Sequence, residues 1–211
     1  MRFAGFGAPV LGGRKAEVVV ASTGGQSFFR GSLADVEAVR DLPPLPQTGP
    51  ELKKLASVLG MGDEALYLGP RASETTVKKA DLSSVDVLAF ATHGLLSGDL
   101  DGLAEPALVL TPPEAASTTD DGLLTASEVA DLKLSADWVI LSACNTAGGD
   151  GRPDAEGLSG LARAFLYAGA RAILVPTAQT RPEEIRSAPI VADTLRTAAR
   201  LTAALASGAL R

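Results

Sequence analysis

The hydrophobic positions of this chain form short runs, separated by stretches with the spacing of amphipathic helices. Residues 85–91 and 138–143 are apolar runs with β-branched and aromatic members, a pattern typical of buried strands. Three other runs, at 65–69, 107–110 and 169–175, predict further strands. Each run is brief enough for a strand and too brief for an ordinary helix.

Capping signals predict helices between these runs. Thr48 with Glu51 and Thr125 with Glu128 both have the spacing of a capping box, in which each side chain bonds the other residue's backbone amide. Gly60 is placed to end the first of these helices.

Two further helices follow from caps and periodicity. Ser73 is a suitable N-cap for a short helix near residues 74–80, and residues 157–168 carry apolar side chains along one face. Strands that alternate with helices favour an α/β fold built on a mostly parallel sheet.

The only histidine and the only cysteine each follow a predicted strand. His93 comes just after the run at 85–91, and Cys144 directly follows the run at 138–143. Ligands of such sheets bind at the carboxyl ends of the strands, and we expect the two strands to be neighbours in the sheet. The separation of 144 − 93 = 51 residues is also close to the roughly 50 residues noted between histidine and cysteine in caspases.

This pair has the residue types of a cysteine peptidase. An imidazole can accept the proton of a thiol and later donate one to a leaving amine. The backbone amides of Gly94 and Cys144 are then candidates for stabilising the oxyanion. The alternative is that Cys144 is a small buried hydrophobic residue and His93 a structural one.

Composition narrows the function classes. The 211 residues are 46% hydrophobic and 21% charged, with a net charge of −6, so a nucleic-acid partner has no electrostatic support. A single cysteine excludes an internal disulfide, and one cysteine with one histidine makes no usual zinc site. The chain has neither a signal peptide nor a run of about 18 apolar residues. We therefore expect a cytoplasmic protein with no membrane partner.

Five motifs occur in order along the chain: Ala91-Thr-His-Gly94, Glu105-Pro-Ala-Leu108, Asp121-Gly-Leu-Leu-Thr-Ala-Ser-Glu128, Leu141-Ser-Ala-Cys-Asn-Thr-Ala147 and Glu156-Gly-Leu-Ser-Gly-Leu-Ala-Arg-Ala-Phe165. Together they resemble the CHAT domain, a module related to caspases and separases that often accompanies TPR repeats in bacteria. The resemblance implies a caspase-like three-layer α/β sandwich in which His93 is the base and Cys144 the nucleophile, with a protein or peptide substrate and no cofactor.

The chain departs from the family pattern at both ends. It begins almost at a Gly-Phe-Gly segment that the family usually places after further strands, and no aromatic residue follows Tyr167. We accordingly assign residues 1–175 to a CHAT domain that is incomplete at its N-terminus and residues 176–211 to a divergent, loosely attached helical tail. The chain has no TPR repeats, which makes a TPR protein or another regulatory protein a candidate partner.

Two acidic residues are candidates for binding substrate. Glu105 and Glu156 can form an acidic pocket for a basic side chain at P1, the substrate residue before the scissile bond, as in some related peptidases. The alternative for both is a structural role; for Glu156 this is the positive end of the following helix. The leading functional hypothesis is a cysteine endopeptidase, and its rival is a non-catalytic CHAT module that binds or scaffolds other proteins.

Overall fold

The computed structural model describes residues 1–13, 29–30, 33–34, 36–96, 103–142 and 155–175. Cys144 and the predicted tail at 176–211 lie outside these described residues, and the division into a domain and a tail therefore stays a prediction. None of the described helices has the length and apolar character needed to cross a membrane.

A parallel sheet of five strands forms the centre of the molecule, in the order β10-β9-β5-β1-β4. Every neighbouring pair in it is parallel, so all five strands end at one edge, which we call the carboxyl edge. The strands are β1 (Phe3–Gly7), β4 (Leu66–Leu68), β5 (Val87–Ala91), β9 (Trp138–Ser142) and β10 (Ile173–Leu174).

Two small antiparallel sheets accompany the central one. The first pairs two-residue strands, and the second has the order β6-β7-β8. Their strands are β2 (Phe29–Arg30), β3 (Leu33–Ala34), β6 (Gly94–Leu95), β7 (Ala107–Val109) and β8 (Leu123–Thr125). The three-stranded sheet matters for the site because β6 begins directly after His93.

Five α-helices occur within the described residues, and most match the sequence prediction to within a few positions. They are α1 (Val36–Arg40), α2 (Thr48–Val58), α3 (Glu74–Lys79), α4 (Ala126–Ala130) and α5 (Ala155–Tyr167). Gly60 ends α2 as expected, with a φ of +72° that favours glycine.

Helix α2 covers one face of the central sheet. Its Leu52 and Leu55 pack against alternate residues of β5, Val87 and Ala89, and against Ile140 of β9. Odd-numbered residues of β5 and even-numbered residues of β9 thus face α2, as the alternation of side chains along a strand requires. We call this the α2 face.

Helices α4 and α5 cover the opposite face. Phe90 lies there between two other aromatic rings, with centroid distances of 5.4 Å to Phe6 and 5.5 Å to Phe165. Tyr67 stacks on Phe6 at 4.5 Å. Helices on both sides of a mostly parallel sheet confirm the three-layer α/β sandwich.

The two predicted capping boxes have different outcomes. The box of Thr125 and Glu128 is present, with both reciprocal hydrogen bonds. The box of Thr48 and Glu51 was predicted wrongly. Thr48 lies inside the helix and its hydroxyl donates to the carbonyl of Leu45, while the Glu51 carboxyl bonds Ser142 instead. Thr48 thus bonds the preceding turn and the amide of Ala8, and Glu51 bonds the end of β9, so neither side chain forms the local motif.

Candidate active site

The strands that lead to His93 and Cys144 are direct neighbours in the sheet. β5 and β9 pair in parallel, with Ala91 opposite Ser142 at their ends. His93 follows Ala91 by two residues, and Cys144 follows Ser142 by two. The expected adjacency of the two strands is confirmed. The approach of the imidazole to the thiol stays a prediction, because Cys144 lies outside the described residues.

His93 is held firmly by the second sheet. Its backbone carbonyl accepts the amide of Val109 at 2.9 Å, and the hydroxyl of the preceding Thr92 donates to the Val109 carbonyl. The His93 side chain is only 3% exposed. Strand β7 therefore holds the backbone of the turn that carries the imidazole.

A backbone carbonyl orients the imidazole ring. The Nε2 atom of His93 lies 2.8 Å from the carbonyl oxygen of Pro43, in the segment that leads into α2. A carbonyl oxygen only accepts hydrogen bonds, so Nε2 must carry a proton. In the neutral ring, Nδ1 then holds the lone pair that a general base needs. Sequence reasoning missed this contact, since a carbonyl acceptor leaves no signature in residue type.

A carboxyl group lies at the end of the neighbouring strand. The hydroxyl of Ser142 donates to Oε1 of Glu51 at 2.8 Å, which links α2 to the last residue of β9. Burial raises the pKa of Glu51 above its ordinary value, and the hydrogen bond from Ser142 opposes that effect. Sequence reasoning missed this role too, because it assigned Glu51 to a local capping box.

The other candidate site residues are Gly94, Glu105 and Glu156. Gly94 opens β6 opposite Leu108, and the role of its amide in holding an oxyanion stays a prediction. Oε2 of Glu105 accepts two hydrogen bonds from Ser127, one from the amide at 2.9 Å and one from the hydroxyl at 2.7 Å. Glu156 is the second residue of α5. The part of both acids in a P1 pocket stays a prediction.

A second group of ionisable side chains joins α3 to α4. Glu74 is 1% exposed, and its Oε2 accepts the amides of Asp121 at 2.9 Å and Gly122 at 3.2 Å. Lys78 bonds both Glu74 and Glu128, the latter at 2.8 Å. Among the described residues, no three His, Cys, Asp or Glu side chains are grouped as a metal ion would require.

The charges within this second group act on one another's protonation. Burial raises the pKa of Glu74 to about 7, against the hydrogen bond from Lys78. Burial alone would raise the pKa of Glu128 as well, but the hydrogen bonds from Lys78 and Thr125 lower it overall. Burial would lower the pKa of Lys78, and its bonds to the two glutamates raise it instead.

Comparison with known proteins bears directly on this arrangement. A family model of the CHAT domain matches residues 14–183. Tetratricopeptide repeat protein 28 of Mus musculus is 32% identical over 166 residues, which cover 63% of this chain and 6% of that protein. The chain thus spans a small fraction of this relative's length. No solved structure matches.

Proposed function

This chain belongs to the CHAT domain family, and from that premise we propose that it is a caspase-like cysteine endopeptidase domain, a hydrolase of peptide bonds in proteins. The observation that carries the proposal is the parallel pairing of β5 with β9, which puts the last residues before His93 and Cys144 side by side. The orientation of the imidazole by Pro43 supports it. A cytoplasmic location is part of the proposal, because an unpaired cysteine fits a reducing compartment.

In the proposed mechanism, Nδ1 of His93 accepts the proton of the Cys144 thiol, and the thiolate sulfur attacks the carbonyl carbon of the scissile bond. The amides of Gly94 and Cys144 hold the resulting oxyanion. His93 then gives its proton to the leaving amine as the C–N bond breaks. Water, deprotonated by His93, then attacks the thioester carbonyl. The C–S bond breaks, the carboxylic acid product leaves, and His93 returns its proton to the sulfur of Cys144. These steps require no cofactor.

A non-catalytic role is the second candidate. The relative in Mus musculus is described as a tetratricopeptide repeat protein, and it carries a region similar to this chain. A binding or scaffolding module, with a TPR or other regulatory protein as its partner, is therefore the alternative. The two proposals differ in whether Cys144 is chemically activated.

A peptide carrying a thiol-reactive acyloxymethyl ketone distinguishes them. Cys144 is the only cysteine, so a mass increase of the intact chain reports on this residue alone. We expect the native protein to be labelled much faster than the same protein unfolded in urea. Cys144→Ala should show no labelling. Equal or slower labelling of the native protein than of the unfolded one would contradict the peptidase proposal and favour the binding module.

A further inference from the structure

Glu51 lies at the carboxyl edge of the central sheet, in the first turn of α2. The start of this helix is fixed at the carboxyl edge, where the Thr48 hydroxyl accepts the amide of Ala8 just after β1. Ser142, the partner of Glu51, ends β9 on the α2 face, directly opposite Ala91. Glu51 therefore faces the strand ends that lead to the proposed nucleophile and base.

The carboxyl of Glu51 lacks a cationic partner among the described residues. Its hydrogen bond is to the neutral hydroxyl of Ser142, and no lysine, arginine or histidine of the described chain forms an ion pair with it. The contrast is Glu74, which is 1% exposed and pairs with Lys78. Glu51 is half-buried, and a carboxylate that is partly withdrawn from water is stabilised by a nearby cation, so its unpaired charge favours a cation from outside the described structure.

The positive end of α2 partly explains why an acidic residue stands at position 51. An acidic residue in the first turn of a helix is stabilised by about 0.3–1 kcal/mol at an exposed position. That benefit does not require the side chain to turn inwards, and Glu51 gives up solvent to contact Ser142. Its inward orientation therefore needs a further reason.

We propose that Glu51 is a specificity-determining residue that binds the guanidinium or ammonium group of an Arg or Lys at P1. This inference rests on the proposed peptidase function and names its substrate class. The hydroxyl of Ser142 holds one carboxylate oxygen and so orients the group before substrate arrives. In Glu105, by comparison, Oε2 already accepts two hydrogen bonds from Ser127.

Two traps that differ only in charge at P1 test the inference. The peptides are identical acyloxymethyl ketones with arginine or citrulline at P1, since citrulline keeps the shape of arginine and loses its charge. The readout is the ratio of their labelling rates at Cys144, measured by mass spectrometry on the full chain. We expect the wild-type ratio to favour arginine at least about tenfold, because a charge-assisted hydrogen bond is about twice as strong as a neutral one.

Variants then assign the preference to a residue. Glu51→Gln keeps an acceptor for Ser142 but removes the charge, and it should bring the ratio close to one. Glu51→Met serves the same purpose if the glutamine variant does not fold. The matched control is Glu64→Gln, an exposed acid just before β4 at the opposite edge of the sheet, which should keep the wild-type ratio.

The outcomes separate this inference from the function on which it rests. If neither trap labels the native protein, the peptidase proposal itself fails and takes the inference with it. If both traps label at equal rates, the peptidase proposal stands and the role of Glu51 is overturned. Loss of the preference in Glu105→Gln or Glu156→Gln, with Glu51→Gln still selective, overturns it as well.

Discussion

Nε2 of His93 donates a hydrogen bond to the carbonyl oxygen of Pro43 over 2.8 Å. This contact joins the turn after β5 to the proline-rich segment before α2, and it identifies Nε2 as a ring nitrogen that carries a proton. One hydrogen bond thus serves both the packing of the carboxyl edge and the chemistry proposed there.

Replacing His93 should affect reactivity far more than folding. In His93→Ala we expect the labelling rate of Cys144 by a peptide trap to fall by about 10²–10⁴, the usual contribution of a general base. The unpaired Pro43 carbonyl should cost about 1–3 kcal/mol of stability. Trap kinetics together with urea unfolding measure both quantities. A variant that is labelled at the wild-type rate would remove His93 from the mechanism.

The sequence predicted four of the five strands of the central sheet because their signal is local, and it missed β1, in which glycines stand at positions 5 and 7. The buried runs that became β5 and β9 are continuous and β-branched, and their lengths allow little else. The pairing of these two strands was expected because the only histidine and the only cysteine stand at their ends. The capping box at Thr125 was predictable because both of its partners lie within four residues.

The contacts that complete the site were not predictable in this way. Pro43 meets His93 across 50 residues through a backbone atom. Glu51 meets Ser142 across 91 residues, and its sequence context supported a local cap instead. Such contacts depend on the assembled sheet, which brings distant segments to one edge. A single sequence contains no periodicity that reports them.

Gly7 should be intolerant of even the smallest side chain. A Cβ atom at this position in β1 would lie 2.6 Å from the Ala91 carbonyl oxygen and 2.7 Å from Cδ1 of Leu52. We expect Gly7→Ala to destabilise the protein by about 1–3 kcal/mol, the range for overpacking a core. Urea unfolding measures this change.

Gly49 provides the control for that substitution. It lies in α2, and a Cβ there would meet only Ala8 at 3.5 Å, an ordinary contact. Alanine favours helix over glycine by up to about 1 kcal/mol, so Gly49→Ala should be neutral or stabilising. Equal destabilisation by both variants would show that close approach at β1 is not the cause.

Among the charged side chains of the described fold, we expect Glu74 to be the one whose replacement destabilises the protein most. Glu74→Ala leaves Lys78 without one of its two anions and leaves the amides of Asp121 and Gly122 without their acceptor. We expect a loss of roughly 2–4 kcal/mol, because each buried amide that is left without its acceptor costs about 1–3 kcal/mol. Thr125→Ala, which removes a helix cap nearby, should cost about 1 kcal/mol. Similar losses in the two variants would contradict a special role for Glu74.

The raised pKa of Glu74 also predicts how stability changes with pH. The native protein holds this proton up to about pH 7, whereas the ordinary pKa in an unfolded chain is 4.5. Between these values the native state binds more protons than the unfolded state, so the free energy of unfolding should fall as pH rises. The contribution is complete below about pH 4.5 and lost above about 7, with a slope of at most about 1.4 kcal/mol per pH unit.

Neighbouring charges make the comparison with Glu74→Gln essential. Asp121 also has a raised pKa, mainly from burial, and adds a slope of the same sign; Glu128 has a lowered pKa and acts oppositely at acidic pH. Lys78 stays charged throughout, because its pKa is raised. Urea unfolding of both proteins from pH 4.5 to 8 isolates the Glu74 contribution as their difference. Between the two pKa values, we expect the slope of that difference with pH to correspond to nearly one proton. Parallel curves would show that Glu74 is already ionised in the native protein and that its bonds with Lys78 outweigh its burial.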